Sequence, residues 1–99
     1  MINISKIREL QAKQIKVEIE ASIISISGVR EFNKSGKIGR VANAILQDET
    51  GEIKMTLWNE EIDKVKTGNI IHIRNGYVNE WQGEKQIMVG RFGNIEILK

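Results

Sequence analysis

Trp58, Tyr77 and Trp81 are the side chains of this sequence that are hardest to assign to a hydrophobic core. The run Leu46-Gln-Asp-Glu-Thr-Gly-Glu-Ile-Lys-Met-Thr-Leu-Trp58 reads as a strand, an acidic turn and a second strand ending in an aromatic. Strand side chains alternate between faces, so if Ile53, Met55 and Leu57 fill a core, Lys54, Thr56 and Trp58 stand outside it. An outward tryptophan offers a flat π surface, and the partner that fits such a surface without regard to its identity is a nucleic-acid base. Trp81 lies in a polar stretch between Asn79-Glu80 and Gln82-Gly83, either exposed or folded back as a clamp over a hairpin. Tyr77 follows Gly76, and a bend at that glycine leaves its facing open. Phe32, in a connecting segment, is either a loop anchor or a ligand contact. Phe92, between Arg91 and Gly93, reads as structural.

Charge is segregated around these residues. Residues 30–40 hold Arg30, Lys34, Lys37 and Arg40 against Glu31 alone, whereas residues 48–64 hold Asp48, Glu49, Glu52, Glu60, Glu61 and Asp63 against Lys54 and Lys64. A net charge of +2 is weak evidence for a polyanionic partner. A basic loop beside exposed aromatics is stronger, because it makes a local groove that attracts anions. Lys54 shares the Trp58 face by alternation, Lys37 and Arg40 lead into the neighbouring strand, and Lys85 borders the segment that carries Trp81. These cations suit the phosphates of a strand whose bases sit on the aromatics. Charge runs of this kind also serve as ordinary solvated surface.

Other chemistry is poorly supplied. With no cysteine there is neither a disulfide framework nor a thiolate metal site. His72, the one histidine, has no partner that spacing identifies and is expected to be exposed on a strand. Asp48, Glu49 and Glu52 lack the ligand spacing of a calcium loop and fit a turn instead. No nucleophile stands with a base, and Gly36-Lys-Ile-Gly39 is too short to cradle a phosphate. The expectation is a binding module without catalytic residues, cofactor, metal or small-molecule substrate. The N-terminus lacks an apolar signal region and no segment could span a membrane, which suits a cytoplasmic, nucleoid-associated protein.

The elements that position these residues are mostly strands. Residues 5–12 suit a short helix with Ser5 as its cap and Ile7 and Leu10 facing inward. Residues 14–27 alternate, with Ile15, Val17, Ile19, Ala21 and Ile23 on one side. A polar loop with Gly36 and Gly39 leads to a second strand at 40–47. Asp48-Glu-Thr-Gly51 makes a tight turn into a third strand at 52–58. Residues 59–66 change period, with Ile62 and Val65 three apart, Asn59 as cap and Gly68 as a left-handed end. A strand over 69–79, with Ile71 and Ile73 inward and a bend or bulge at Gly76, is followed by a loop at 79–83 and a last strand at 85–98. Ninety-nine residues suffice for one domain with a modest core.

Five strands joined by antiparallel connections, with a short helix between the third and fourth, describe an all-β Greek-key barrel of the OB-fold type. Closure removes the edges that an open sheet of such apolar strands would present. The Asp48-Glu-Thr-Gly51 turn, the alternating strand ending in Leu57-Trp58, Lys66-Thr-Gly68-Asn-Ile-Ile and Asn75-Gly-Tyr77 resemble archaeal single-stranded DNA-binding proteins and the DNA-binding OB domains of archaeal replication protein A. The resemblance covers nearly the whole chain. Asp-x-x-Gly turns alone also occur in anticodon-binding OB domains.

The resemblance implies base stacking at Trp58, Tyr77 and Trp81, and contacts to DNA from Arg30 and Phe32 in the first loop. It implies a role in replication, recombination or repair, with other OB domains or repair proteins as partners. Archaeal single-barrel relatives usually carry a Gly/Arg-rich or acidic tail after the barrel. This sequence stops at Lys99, so the expectation is one OB domain, residues 1–99, taken from a longer chain with several barrels. Two alternatives share the fold: an RNA-binding module of the anticodon-binding type, which reads base edges and a 2′-hydroxyl, and a protein-interaction barrel that takes an acidic peptide in the same groove.

Overall fold

The computed structural model describes residues 3–99. Its strands are β1 (Val17–Ile26), β2 (Arg30–Lys34), β3 (Lys37–Asp48), β4 (Gly51–Trp58), β5 (Ile70–Trp81) and β6 (Glu84–Ile97), with one helix, α1 (Glu60–Lys64), between β4 and β5. Five of the strands close into a barrel. The order runs β1-β5-β6-β4-β3, and β1 pairs again with β3 to complete the circuit. All pairings are antiparallel except β4–β6, where Lys54 meets Gln86 and Met55 meets Ile87 in parallel. This is the OB-fold that strand count and patterning predict, with the helix after the third barrel strand.

Period-two alternation supplies the core. Val17, Ile19, Ala21 and Ile23 of β1, Ala44 and Leu46 of β3, Ile53, Met55 and Leu57 of β4, Ile71, Ile73 and Val78 of β5, and Ile87 and Ile95 of β6 are buried together. Because β1 must serve two neighbours, it bends. A register break between Ile23 and Ser25 lies where β1 pairs with β3, beyond its pairing with β5 at Val17–Ser22. A bulge of this kind increases local twist and lets one strand pass from one sheet partner to another.

Several sequence expectations change in detail. Residues 5–12 form only a 3-10 turn at Ile7–Glu9, although Ile7 and Leu10 do face the core. The chain cannot stay helical there because Lys13 donates to the Val78 carbonyl and Val78 donates back to Gln14, drawing the segment against β5. Ser5 is no cap: the cap position of the turn falls on Lys6, and the Ser5 N–H donates to the Glu18 carbonyl. Ile15 is exposed rather than inward, because Lys16 adopts a positive φ of 56° and breaks the alternation before β1 starts. The expected polar loop at 28–39 is largely a hairpin: β2 pairs with β3 through a two-residue turn at Ser35 and Gly36, both with positive φ. Such turns match the right-handed twist of the strands they join.

Around α1 the stop signals act differently from their usual roles. Asn59 stands at the cap position but its side chain makes no capping hydrogen bond; at φ 51° its Oδ1 accepts the Arg40 N–H at 3.0 Å instead, tying β3 to the end of β4. The helix ends at Lys64, Ile62 packs partly against the core, and Val65 is buried just beyond it. Gly68 at φ 99° turns the chain toward β5 and donates to the Ile23 carbonyl. His72 is also not exposed. The residue is 5% accessible, with Nε2 2.9 Å from Glu18 Oε1. The reason is cross-strand position: Glu20 sits opposite His72 on β1, and Glu18, one outward position along, reaches the ring.

The turn between β3 and β4 is built by one carboxylate. Asp48 Oδ1 accepts the Thr50 N–H at 2.7 Å, the Thr50 hydroxyl at 2.6 Å and the Gly51 N–H at 3.2 Å, while Oδ2 accepts the Ile7 N–H at 2.8 Å. Burial works to raise the Asp48 pKa, but the Thr50 hydroxyl and the three N–H donors outweigh it and hold the group below its usual value of 3.8. A depressed carboxylate contributes stability that is present above its unfolded pKa and lost as pH falls through the folded one. Asp48→Ala is therefore expected to lower stability by about 1–3 kcal/mol at neutral pH. Urea titrations repeated down through pH 3.8 should find the gap between variant and parent narrowing with acid. A gap that stays constant with pH contradicts the role of the ionised form.

Candidate nucleic-acid interface

Trp58 ends β4 on the outward face and is 41% exposed. Its position is held from three sides. The Trp58 N–H donates to Glu61 Oε1 at 2.9 Å, so α1 clamps the strand end from below. Val41 is its cross-strand partner on β3. The Phe32 ring meets it edge-on, with centroids 5.9 Å apart and planes at 87°. Phe32 reaches that position by lying across Gly39, its partner in the β2–β3 ladder; a Cβ at Gly39 would come within 2.3 Å of the ring. An aromatic covering a strand glycine recovers packing that the glycine itself cannot supply. Glu61 has its pKa raised by burial, against which the Trp58 N–H and Lys64 act in the lowering direction.

Tyr77 and Trp81 stand on β5, four residues apart and hence on one face. Tyr77 pairs with Met88 of β6, its hydroxyl 3.7 Å from the sulfur, and its ring covers Gly90, where a Cβ would come within 3.2 Å. Gly76 does mark a bulge, with the positive φ falling on Asn75 at 54°, and Tyr77 emerges from it pointing outward. Trp81 is not in a loop. It is the last residue of β5, paired with Glu84 across a two-residue turn at Gln82 and Gly83, and is 67% exposed. The parallel pairing of β6 with β4 sets the outward residues of β4 beside those of β6 and, through β6, beside those of β5. The three aromatics thus share the outer surface of a single β4-β6-β5 sheet. Thr56, on the same face as Trp58, is 8% exposed beneath its longer neighbours.

The cations divide into two kinds. Arg40 is engaged: its guanidinium nitrogens contact Asp63 at 3.2 and 2.7 Å and the Asn59 carbonyl at 3.2 Å. The Asp63 hydrogen bond raises the Arg40 pKa and lowers that of Asp63 in return. Lys54 is also engaged, 2.7 Å from Glu84. Arg30, Lys34, Lys37 and Lys85 are exposed and enter no ion pair among the described residues. Lys34 and Lys37 face each other across the β2–β3 turn. Two like charges directly opposite are unfavourable unless an anion lies between them, so this tip concentrates positive charge. Phe32, Lys34, Lys37 and Arg40 line one open cleft of about 690 Å³; Lys54 and Lys85 line another of about 550 Å³.

One exposed aromatic eluded the sequence reading. Phe92, expected to be structural, is 85% exposed, the most accessible large apolar side chain described. The signal was present: it is flanked by Arg91 and by glycines at 90 and 93, a composition that suits display better than packing. Among the described residues no group of three or more His, Cys, Asp or Glu could hold a metal ion, and no helix is long and apolar enough to cross a membrane.

Known proteins place this geometry. Residues 5–97 match the family described as single-stranded DNA binding protein Ssb-like, OB fold. The single-stranded DNA binding protein Ssb of Saccharolobus solfataricus is 26% identical over 86% of this chain and 57% of its own length. Replication factor A of Methanothermobacter thermautotrophicus is 31% identical over 91% of this chain but only 12% of its own length. The chain thus spans little more than half of one curated relative and about an eighth of the other. The second OB-fold domain of replication protein A from Methanococcus maripaludis superposes with a TM-score of 0.78 at 33% identity, covering 98% of this chain and 96% of that one. A replication protein A heterotrimer bound to single-stranded DNA superposes with a TM-score of 0.79 at 25% identity, covering 97% of this chain and 25% of that one. With its closed barrel, its outward aromatics and a match over residues 5–97, the chain belongs to the Ssb-like family of OB-fold single-stranded DNA binding proteins.

Proposed function

We propose that this domain binds single-stranded DNA without catalysis, stacking bases on Trp58, Tyr77 and Trp81 and meeting phosphates with Arg30, Lys37, Arg40, Lys54 and Lys85. The observation that carries the reading is the placing of three exposed aromatics on the outer face of one β4-β6-β5 sheet, with Phe32 bracing the first. Each stacked base contributes about 1–3 kcal/mol and every base has a π-face, so recognition is largely independent of sequence. An OB domain of this size covers roughly 4–16 nucleotides. Partial pairing of the cations keeps affinity moderate, since phosphates must displace Asp63 from Arg40 and Glu84 from Lys54. The chain spans 12% of a replication factor A, and avidity among several such barrels supplies what one lacks. The role that follows is protection of unpaired DNA in replication, with repair and recombination drawing on the same property, in the cytoplasm at the nucleoid.

Tryptophan fluorescence during titration with oligo-dT, beside oligo-U and duplex, is the direct test. Strong quenching by the single strand is expected, with Trp58→Ala weakening binding by about 5- to 100-fold while the fold survives. A flat signal at high DNA concentration overturns the reading, and a preference for oligo-U transfers it to RNA.

Two variants test how the platform is held and screened. Gly39→Ala must push Phe32 away from Trp58, because the new Cβ takes the ring's place. Binding should fall several-fold with thermal stability little changed; unaltered affinity removes Phe32 from the site. Glu84→Gln frees Lys54. It is expected to tighten binding a few-fold and to steepen the dependence of log K on log salt by about 0.7, the increment for one further phosphate contact on a single strand. An unchanged slope means that Lys54 meets no phosphate.

A further inference from the structure

The break in the β5–β6 ladder is wider on one side than on the other. Gly76 pairs with Val89 and Arg74 with Asn94, so Asn75 alone on β5 faces Gly90, Arg91, Phe92 and Gly93 on β6. Those residues bow out of the barrel wall and carry Phe92 at 85% exposure, beside Arg91, which enters no ion pair among the described residues. The projection is a built feature. The Asn75 side-chain amide donates to the Phe92 carbonyl at 3.3 Å, and the Asn75 N–H donates to Glu18 Oε2 at 2.8 Å. Glu18 is held in turn by the buried His72. Gly93 is packed so tightly that a Cβ there would come within 2.9 Å of the Arg74 and Asn75 carbonyls and 2.7 Å of Val89.

The direction of the side chain follows from its exposure. Ile87 and Ile95 are buried on either side of the break and Val89 packs partly against the core, whereas Phe92 stands 85% exposed. Phe92 thus points outward two residues beyond Gly90, over which the Tyr77 ring lies. A hydrophobic side chain this exposed, on a scaffold this well tied, gains nothing for the fold. Arg91 is the only charge from Gln86 to Asn94, so the bow presents a ring and a cation with no acid among its own residues.

We propose that the Arg91-Phe92 bow is a further stacking site, taking the base and phosphate of a nucleotide that runs past Tyr77 along β6. It rests on the single-stranded DNA reading and extends it: the bow lengthens the footprint beyond the three-aromatic platform and discriminates long single strands from short ones. Glu18, His72 and Asn75 act on it as positioning residues.

The test is a ladder of oligo-dT from about 4 to about 16 nucleotides, titrated by anisotropy against the parent, Phe92→Ala, Phe92→Trp and Arg91→Gln. Phe92→Ala is expected to match the parent on the shortest strands and to bind the longer ones about ten-fold more weakly. Phe92→Trp should restore that affinity and add a quenched emission that appears only with the longer strands. Arg91→Gln should flatten the salt slope by about 0.7 on those same strands. If the parent binds the whole ladder and Phe92→Ala follows it at every length, the bow is no subsite, though the platform stands. A loss equal at all lengths also overturns it, since Phe92 would then act through Tyr77 rather than on a base of its own. If the parent binds no strand, the single-stranded DNA reading falls and the bow's role with it.

Discussion

Closure of the sheet on β1 is the constraint from which the rest of this molecule follows. One strand of ten residues pairs with β5 along its first half and with β3 along its second, and the bulge after Ile23 makes the two partnerships compatible. Once the circuit is closed, every alternating strand has one side in the core and one in solvent, with no third option. Trp58 and Tyr77 are exposed because their neighbours Leu57 and Val78 fill the interior. Display of aromatics is thus a by-product of core packing. It stays rigid for as long as the core does.

The irregular positions do the aiming. Asn59, Asn75 and Gln82 all adopt positive φ, at 51°, 54° and 52°, and each lies within two residues of a displayed aromatic: Trp58, Tyr77 or Trp81. A non-glycine residue in this region carries a conformational cost, and Asn tolerates it better than most because its short polar side chain bonds locally. Asn59 spends its side chain on the Arg40 N–H and Asn75 on the Phe92 carbonyl. These bonds offset the strain while turning the chain sharply enough to leave the ring outside. Flat surfaces that are already placed lose little entropy on binding, which is what the proposed stacking requires of a small domain with few free cations.

Much of this was legible before any coordinates, and the boundary of legibility is physical. The alternation at Ile53–Trp58 is a local property of one strand, so the outward facing of Trp58 could be read directly. The barrel was legible because five such strands and one short helix leave few other ways to bury their apolar faces. What escaped depends on contacts between distant segments. Ile15 looked inward until Lys16 turned the chain, His72 looked exposed until Glu18 and Glu20 were set opposite it, and the 28–39 loop looked polar because its pairing with β3 buries little. Phe92 was misread for the same reason. Its exposure is created by the mismatch of one residue against four across the β5–β6 ladder, and register is invisible in a single strand.

The charges show why facing alone does not define a binding surface. Lys54 and Arg40 lie where alternation and spacing put them, yet each already holds a carboxylate, from Glu84 and Asp63. Exposed ion pairs contribute only about 0–1 kcal/mol, so neither is a barrier that a phosphate cannot overcome. They act instead as a screen. An isolated phosphate gains little by exchanging with a carboxylate of equal charge, whereas a strand whose bases are already stacked brings its phosphates to these cations at high effective concentration. On the proposed reading, stacking comes first and charge second. A surface arranged in that order favours unpaired bases over duplex, whose phosphates are just as numerous but whose π-faces are covered.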